Sequence, residues 1–173
     1  MRINDVDWES WEPEQVATLL FVVKDTEVLL IHKKRGLGAG KINGPGGRLE
    51  LGETPKQCAI RETTEELCIT PIYVRAAGLL LFHSEDTPRL QGCVFVASDY
   101  IGTPQETAEA KPIWFNKEDV PYDRMWEDDR YWLPAVLYGN GVEGKFIFIQ
   151  ENLIDLLLAN LDQDLKEMPH HQC

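Results

Sequence analysis

Apolar runs separated by short polar segments occur along most of the chain, and they predict β-strands. The runs are rich in valine, isoleucine, leucine and phenylalanine, residues that fit the pleated, half-buried surface of a strand. They cover residues 16–23, 28–33, 72–83, 89–98, 111–116 and 144–149. Only the polar residues 24–27 separate the first two runs, which predicts a β-hairpin near the start of the chain.

Helices are predicted between these strands. Thr54 has the hydroxyl that an N-cap needs, Pro55 suits the first helical position, and Gln57 can return the capping hydrogen bond. A further helix is predicted to follow Pro121 and to end near Tyr138. The paired aspartates close to its start are expected to complement the helix dipole, unless they face a ligand.

The end of the chain carries leucines at the spacing of one helical face. They are Leu153, Leu157, Leu161 and Leu165. Residues 152–166 are therefore expected to form a closing amphipathic helix that packs against the core. The strands, their hairpins and the helices together predict an α/β fold in which a mixed sheet lies between helices.

The length and composition indicate a single domain. The chain has 173 residues, of which 43% are hydrophobic, enough for a substantial core. The domain is expected to cover residues 15–166, with an N-terminal arm at 1–14 and a C-terminal tail at 167–173. Trp8 and Trp11 predict that the arm docks on the domain by its aromatic rings.

The charge excludes some classes of partner. A net charge of -12 argues against nucleic-acid polymers and anionic membranes, which need a basic face. The polar N-terminus and the lack of a long apolar run predict neither a signal peptide nor a membrane span, so a cytoplasmic protein is expected. A monomer is expected as well. The four cysteines lack CxxC spacing, which favours reduced thiols over a disulfide framework or a zinc site.

An acidic cluster lies on the helix that begins after Thr54. Glu62, Glu65 and Glu66 stand at positions i, i+3 and i+4, so their carboxylates share one face and repel each other. A divalent cation would turn this repulsion into binding, and hard oxygen ligands suit Mg²⁺ or Mn²⁺. The alternative interpretation is an acidic helix face exposed to solvent.

A glycine-rich, basic segment precedes this helix. Residues 33–47 contain six glycines and four basic side chains. Such a loop can bring backbone N–H groups and positive charge close to a phosphate. It lacks the Gly-Lys-Ser/Thr ending of a Walker A motif. Next to a metal-binding helix, it indicates a site for a phosphorylated ligand.

The intervals between Gly47, Glu53, the pair 61–62 and the pair 65–66 closely resemble the Nudix box. The resemblance implies the α/β/α sandwich of that family and cleavage of a nucleoside diphosphate linked to another group. Cys68 departs from the pattern, since a glycine usually closes the motif. A side chain with a Cβ costs about 1 kcal/mol or more in a left-handed conformation, so we expect this helix to end differently.

Within the family, residues 17–158 resemble the oxidised-purine nucleoside triphosphatases of the MutT-homologue type. The most specific similarity outside the box is PYDRMWEDDRYW, residues 121–132. It implies that Trp126 stacks on the base and that Asp128 and Asp129 read the purine edge. Adjacent carboxyls in a partly dry pocket cannot both ionise easily, so one can keep a proton and donate while the other accepts.

The same resemblance assigns further positions to the nucleotide site. These are Thr18, Lys33, Asn43 and Phe82. A phenylalanine in the hydrophobic core is an equally good explanation for Phe82. Leu37 and Ile42 stand where aromatic residues are expected. Which substrate base is preferred, oxidised guanine, oxidised adenine or an alkylated purine, is therefore left open.

The resemblance also completes a metal site. It adds the carbonyl of Gly46 and the carboxylate of Glu109 to the three glutamates of the helix. Glu65 or Glu66 is expected to act as the general base toward a metal-bound water.

Arg61 is expected to pair with Glu53 and so to lock the helix onto the preceding loop. The predicted reaction is hydrolysis of a purine nucleoside triphosphate to the monophosphate and pyrophosphate, which would sanitise the nucleotide pool. Two alternatives stay open. One is a Nudix hydrolase of dinucleoside polyphosphates, nucleotide sugars or capped RNA, and the other is a nucleotide-binding module without catalysis.

Overall fold

The computed structural model describes residues 1–161 and 173, and in it eight strands form one mixed sheet. The helices are α1 (Pro55–Leu67) and α2 (Asp129–Leu137), with short 3-10 turns at Ile3–Asp5 and Tyr122–Arg124. The strands are β1 (Gln15–Lys24), β2 (Glu27–Lys33), β3 (Ile42–Asn43), β4 (Ile69–Ser84), β5 (Leu90–Gly102), β6 (Ala110–Asn116), β7 (Gly141–Ile149) and β8 (Asn152–Leu161).

The strand order is β3-β2-β1-β5-β4-β7-β8, and β6 pairs with β2. The β1–β5 and β4–β7 pairs are parallel, and the remaining pairs are antiparallel. The predicted β1–β2 hairpin and the mixed sheet are confirmed. Neither helix in the described part of the chain has the length and apolar content that crossing a membrane requires.

Alternation along β1 places one helix on each face of the sheet. Leu20 and Val22 belong to the buried cluster that contains Leu67 of α1. Phe21, which lies between them, belongs to the cluster that contains Trp132 of α2. Because successive strand residues point to opposite faces, α1 and α2 cover opposite sides of the sheet. The α/β/α arrangement is therefore confirmed.

The start of α1 is fixed by the predicted capping box. Thr54 Oγ1 accepts a hydrogen bond from the backbone N–H of Gln57 at 3.2 Å, and Gln57 Oε1 accepts from the N–H of Thr54 at 2.9 Å. Both bonds satisfy N–H groups that have no partner inside the helix. This cap sets the rotation of α1 and therefore the direction of its glutamates.

The end of α1 differs from the prediction. Cys68 adopts the left-handed conformation, with φ 60° and ψ 28°, and its N–H donates to the carbonyl of Thr64. The helix thus ends as a glycine-capped helix does, although the residue has a Cβ. The Cys68 side chain is exposed, so the cost of this cap is one of local backbone conformation.

Replacing Cys68 with glycine is expected to raise the free energy of unfolding by about 0.5–1 kcal/mol, because glycine adopts a positive φ without strain. Chemical denaturation monitored by circular dichroism would measure the gain. Cys68→Ala is the matched control, since it removes the thiol but keeps the Cβ, and it should give no gain. Equal stability of the two variants would contradict a left-handed cap.

The prediction of a closing helix at 152–166 is wrong for residues 152–161, which are the part that the structure describes. Residues Asn152–Leu161 form β8, which pairs antiparallel with β7 along its whole length. The side chains of Leu161 and Leu165 lie outside the described residues. Leu157 was expected to face the core, but its side chain is 55% exposed.

A β-bulge decides which leucines of β8 face the core, since a four-residue spacing alone fits one face of a helix and one face of a strand. Leu153 lies opposite Phe148 and Asp155 lies opposite Ile147, so Ile154 is skipped in the pairing. A bulge of this kind breaks the two-residue alternation of a strand. The leucines that pack against the core are Leu153, Leu156 and Leu158.

The N-terminal arm docks through its aromatic residues, as predicted. Trp11 is buried in a cluster with Leu79 and Leu81, and its Nε1–H donates to Nδ1 of His83 at 3.2 Å. Trp8 packs against the same cluster. The arm therefore covers the α1 side of β4.

The expectation of four reduced cysteines is wrong for one pair. Cys93 on β5 is disulfide-bonded to Cys173, while Cys58 and Cys68 are free. The two bonded residues are 80 positions apart, and only the folded chain brings them together. Cys173 is thus attached to the domain, whereas residues 167–172 of the predicted tail lie outside the described residues.

Candidate active site

The loop between β3 and α1 lies directly against β1. The N–H of Thr18 donates to the carbonyl of Gly47 at 2.8 Å, and the N–H of Leu20 donates to the carbonyl of Pro45 at 2.9 Å. A Cβ on Gly46 would lie 1.8 Å from the carbonyl oxygen of Thr18. Only glycine therefore fits at residue 46. The two hydrogen bonds to β1 fix where the loop lies beside the strand.

Two carboxylates of α1 converge on this loop. Glu66 is only 3% exposed, and its Oε2 accepts a hydrogen bond from the N–H of Gly46 at 3.3 Å. The carboxyl carbon of Glu62 lies 2.4 Å from the position that a Cβ on Gly47 would take. The helix thus presses both acids against the two adjacent glycines.

The electrostatics of these acids favour a bound cation. Burial raises the pKa of Glu66 to about 7, and it also raises the pKa of Glu62. The negative charges of neighbouring carboxylates, including Glu109, act in the same direction, while nearby Lys33 opposes the shift at Glu66. Hard oxygen donors held close together in this way suit a divalent cation such as Mg²⁺.

Arg61 forms the expected pair with Glu53. Its Nε and Nη2 donate to the two carboxylate oxygens of Glu53 at 2.7 and 2.9 Å, and these bonds lower the pKa of Glu53 to about 2. The Nη1 of Arg61 also contacts Glu62 at 2.8 Å and Glu65 at 3.3 Å. Arg61 therefore joins the loop before α1 to the acidic face of the helix.

The remaining predicted metal ligands, Glu65 and Glu109, are paired with arginines. Glu65 is mostly exposed and contacts Arg61, and Glu109 pairs with Nη2 of Arg35 at 2.9 Å. Across residues 1–161 and 173, no three acidic, histidine or cysteine side chains lie close enough together to hold a metal ion. The structure brings together Glu62, Glu66 and the Gly46–Gly47 segment, and it does not gather Glu65 and Glu109 around them.

Asp128 and Asp129 form a buried acidic pair on the other face of the sheet, and each is 3% exposed. Trp132 Nε1–H donates to Oδ2 of Asp128 at 2.8 Å, and the N–H of Trp126 donates to Oδ2 of Asp129 at 3.2 Å. Burial raises the pKa of Asp128 to about 6 and raises that of Asp129 further, because the second charge would form beside the first.

The helix-capping interpretation does not hold for Asp128. It occupies the N-cap position of α2, but its side chain makes no capping hydrogen bond. Its partner is instead Trp132, a fully buried residue that the sequence reasoning did not single out. The signal was available, because Asp128 and Trp132 are four residues apart and face each other on one helical turn.

Asn43 lies on β3 and Phe82 lies on β4. Asn43 Oδ1 accepts a hydrogen bond from the N–H of Gly44 at 2.8 Å. Phe82 stacks on Phe146 with 5.1 Å between ring centroids and packs against the core cluster of Trp132. Phe82 therefore has a packing role, and its contact with a ligand stays a prediction.

Thr18 and Lys33 lie near the β3–α1 loop and the acidic face of α1. Thr18 Oγ1 contacts Sγ of Cys58 at 3.5 Å and lies 3.5 Å from the carbonyl oxygen of Gly47, under α1. Lys33 lies near Glu66, whose pKa it lowers. The structure does not place Thr18 beside the buried acidic pair, so its predicted contact with substrate remains a prediction.

Comparisons with known proteins identify the family of this chain. The NUDIX domain profile matches residues 13–136. A Danio rerio protein named oxidized purine nucleoside triphosphate hydrolase is 38% identical over 141 residues, which cover 81% of this chain and 90% of the relative. Its Mus musculus namesake is 36% identical over 147 residues, covering 84% and 94%. A MutT protein structure from Bacillus halodurans superposes with a TM-score of 0.75 at 26% identity, covering 83% and 97%.

Proposed function

Since the chain belongs to the NUDIX domain family, we propose that it hydrolyses oxidised purine nucleoside triphosphates, such as 8-oxo-dGTP or 2-oxo-dATP, to the monophosphate and pyrophosphate. The names of the zebrafish and mouse relatives, which match most of this chain, support the substrate class. In the cell this reaction would sanitise the nucleotide pool.

The observation that carries the substrate proposal is the buried pair Asp128 and Asp129 beside Trp126. Two acids that are 3% exposed and have raised pKa values reduce the stability of the fold, which favours a functional reason for their presence. With one proton between them, the pair can donate to one atom of a purine edge and accept from another. The indole of Trp126 supplies the stacking surface.

The β3–α1 loop and the acidic face of α1 would hold the metal. Glu62 and Glu66, which lie against the Gly46–Gly47 segment, are the first candidates, and the Gly46 carbonyl would join them. Glu65 and Glu109 would complete the set once they separate from Arg61 and Arg35. Bound Mg²⁺ would neutralise phosphate charge and lower the pKa of a water molecule.

The chain's own groups would then orient the reaction. Glu65 or Glu66 accepts the proton of the attacking water, and Lys33 places positive charge beside the triphosphate. The bidentate Arg61–Glu53 pair keeps the loop and helix in register. Gly46 lets the loop approach β1 so that its N–H reaches Glu66.

A substrate panel tests the proposal. In Mg²⁺, 8-oxo-dGTP and 2-oxo-dATP should yield monophosphate and pyrophosphate faster than dGTP does, and EDTA should stop the reaction until Mg²⁺ is restored. Ion-exchange chromatography of the products measures both. Activity on ADP-ribose alone would instead indicate another Nudix substrate, and nucleotide binding without turnover would indicate a binding module.

A further inference from the structure

The hairpin formed by β7 and β8 contacts each of the segments that carry the predicted base-binding residues. Its turn donates to the β4–β5 turn, which follows Phe82, and pairs with the glycine-rich loop, which contains Asn43. The start of β8 donates to the segment that contains Trp126. The contacts are Gln150 N–H to Asp86 Oδ2 at 3.1 Å, Glu151 Oε2 to Lys41 Nζ at 3.5 Å and Leu153 N–H to Glu127 Oε2 at 2.9 Å.

Lys41 makes the contact that reaches a predicted base-binding side chain. Its Nζ lies 4.9 Å from the ring centroid of Trp126. The Lys41 N–H also donates to the carbonyl of Gly38 at 3.0 Å, and a Cβ on Gly38 would lie 3.1 Å from Nε1 of Trp126. The glycine-rich loop therefore lies against the indole, and Lys41 is the charged group that it presents there.

The two interactions of the Lys41 ammonium differ in strength. The ion pair with Glu151 is solvent-exposed, since the Glu151 side chain is 71% exposed, and exposed pairs contribute little. The contact with Trp126 is better protected, because the Lys41 side chain is 29% exposed and indole is the aromatic group that binds cations best. Trp126 is thus the main partner of Lys41, and Glu151 is a second, weaker partner of the same ammonium.

We propose that Lys41 is a positioning residue for base recognition, and this rests on the proposed function. Its ammonium holds the Trp126 indole in the orientation that receives the purine. A stacking surface ordered before binding loses less rotamer freedom when the base arrives, so the base binds more tightly. The effect belongs to the binding of the base and leaves the chemistry at α1 unchanged.

Lys41→Met tests the inference, because methionine keeps an unbranched side chain and loses the charge. With the substrate that the wild type cleaves, KM should rise about three- to tenfold while kcat stays within about twofold. Lys41→Arg keeps a cation that can lie over the indole and should restore KM. Lys117→Met is the matched control, since Lys117 lies 4.9 Å from the ring of Tyr138, and it should leave KM unchanged.

A binding measurement separates this inference from the proposed reaction. Calorimetric titration with 8-oxo-dGMP needs no turnover, and Lys41→Met should weaken the affinity by about the same three- to tenfold. Weaker binding by Lys41→Met in a chain that cleaves nothing would keep the inference and reject the hydrolysis. Equal affinity of the wild type and Lys41→Met would overturn the inference. A loss of both kcat and Tm in Lys41→Met would also overturn it, and so would a wild type that does not bind 8-oxo-dGMP.

Discussion

Replacing Glu66 with glutamine is expected to lower kcat by about 10²- to 10⁴-fold, the usual contribution of a catalytic carboxylate. Glutamine has the same shape, and its amide oxygen can still accept the hydrogen bond from the N–H of Gly46. Only the negative charge is lost, and with it an oxygen donor that can bind a cation or accept a proton. The variant should therefore fold normally and turn over substrate very slowly.

Steady-state hydrolysis of the preferred triphosphate in Mg²⁺ measures the loss, and thermal unfolding checks the fold. Because burial penalises the charge of Glu66, its removal should leave Tm equal to or above the wild-type value. Glu118→Gln, at an exposed position beyond β6, makes the same change in net charge and should retain full activity. A wild-type rate in Glu66→Gln would reject the assignment of the metal and base site to α1.

Features that depend on close neighbours in the chain were predictable. The capping box of Thr54 and Gln57 involves residues three apart, and both of its hydrogen bonds are present. The Arg61–Glu53 pair spans one loop and the first turns of a helix, and it forms as expected. In each case local geometry alone brings the groups together, so their spacing contains the necessary information.

Features that depend on tertiary contacts were missed. The leucines after residue 152 have a four-residue spacing that fits one face of a helix or of a strand, and only the pairing with β7 decides between them. The Cys93–Cys173 bond and the contact of Lys41 with Trp126 join distant segments, which no spacing reveals. Cys68 adopts a left-handed conformation that its Cβ disfavours. The hydrogen bond from its N–H to Thr64 and the start of β4 fix the chain on either side of it.

The double variant Asp128→Asn/Asp129→Asn is expected to be more stable than the wild type at pH 7 by about 1–3 kcal/mol. The pKa of both carboxyls is raised in the folded protein, so the fold favours their protonated form. The contribution of this pair to the free energy of unfolding is therefore greatest below pH 4, where both carboxyls are protonated. It is lost as the pH rises through about 6 and the carboxyls ionise. Asparagine does not ionise, so the advantage of the variant should shrink as pH falls from 7 to 4.

The same variant should lose purine recognition, because two amides cannot share a proton as two carboxyls do. We expect kcat/KM for the preferred triphosphate to fall by about 10²-fold, as when a site built to hydrogen-bond its ligand loses the matching groups. Urea denaturation between pH 4 and 7 and steady-state kinetics measure the two effects. Asp123→Asn, at an exposed position before the pair, should change neither. If the variant gained stability and kept full activity, the buried acids would not read the base. If it gained stability and lost activity, the pair is retained for recognition at a cost in stability.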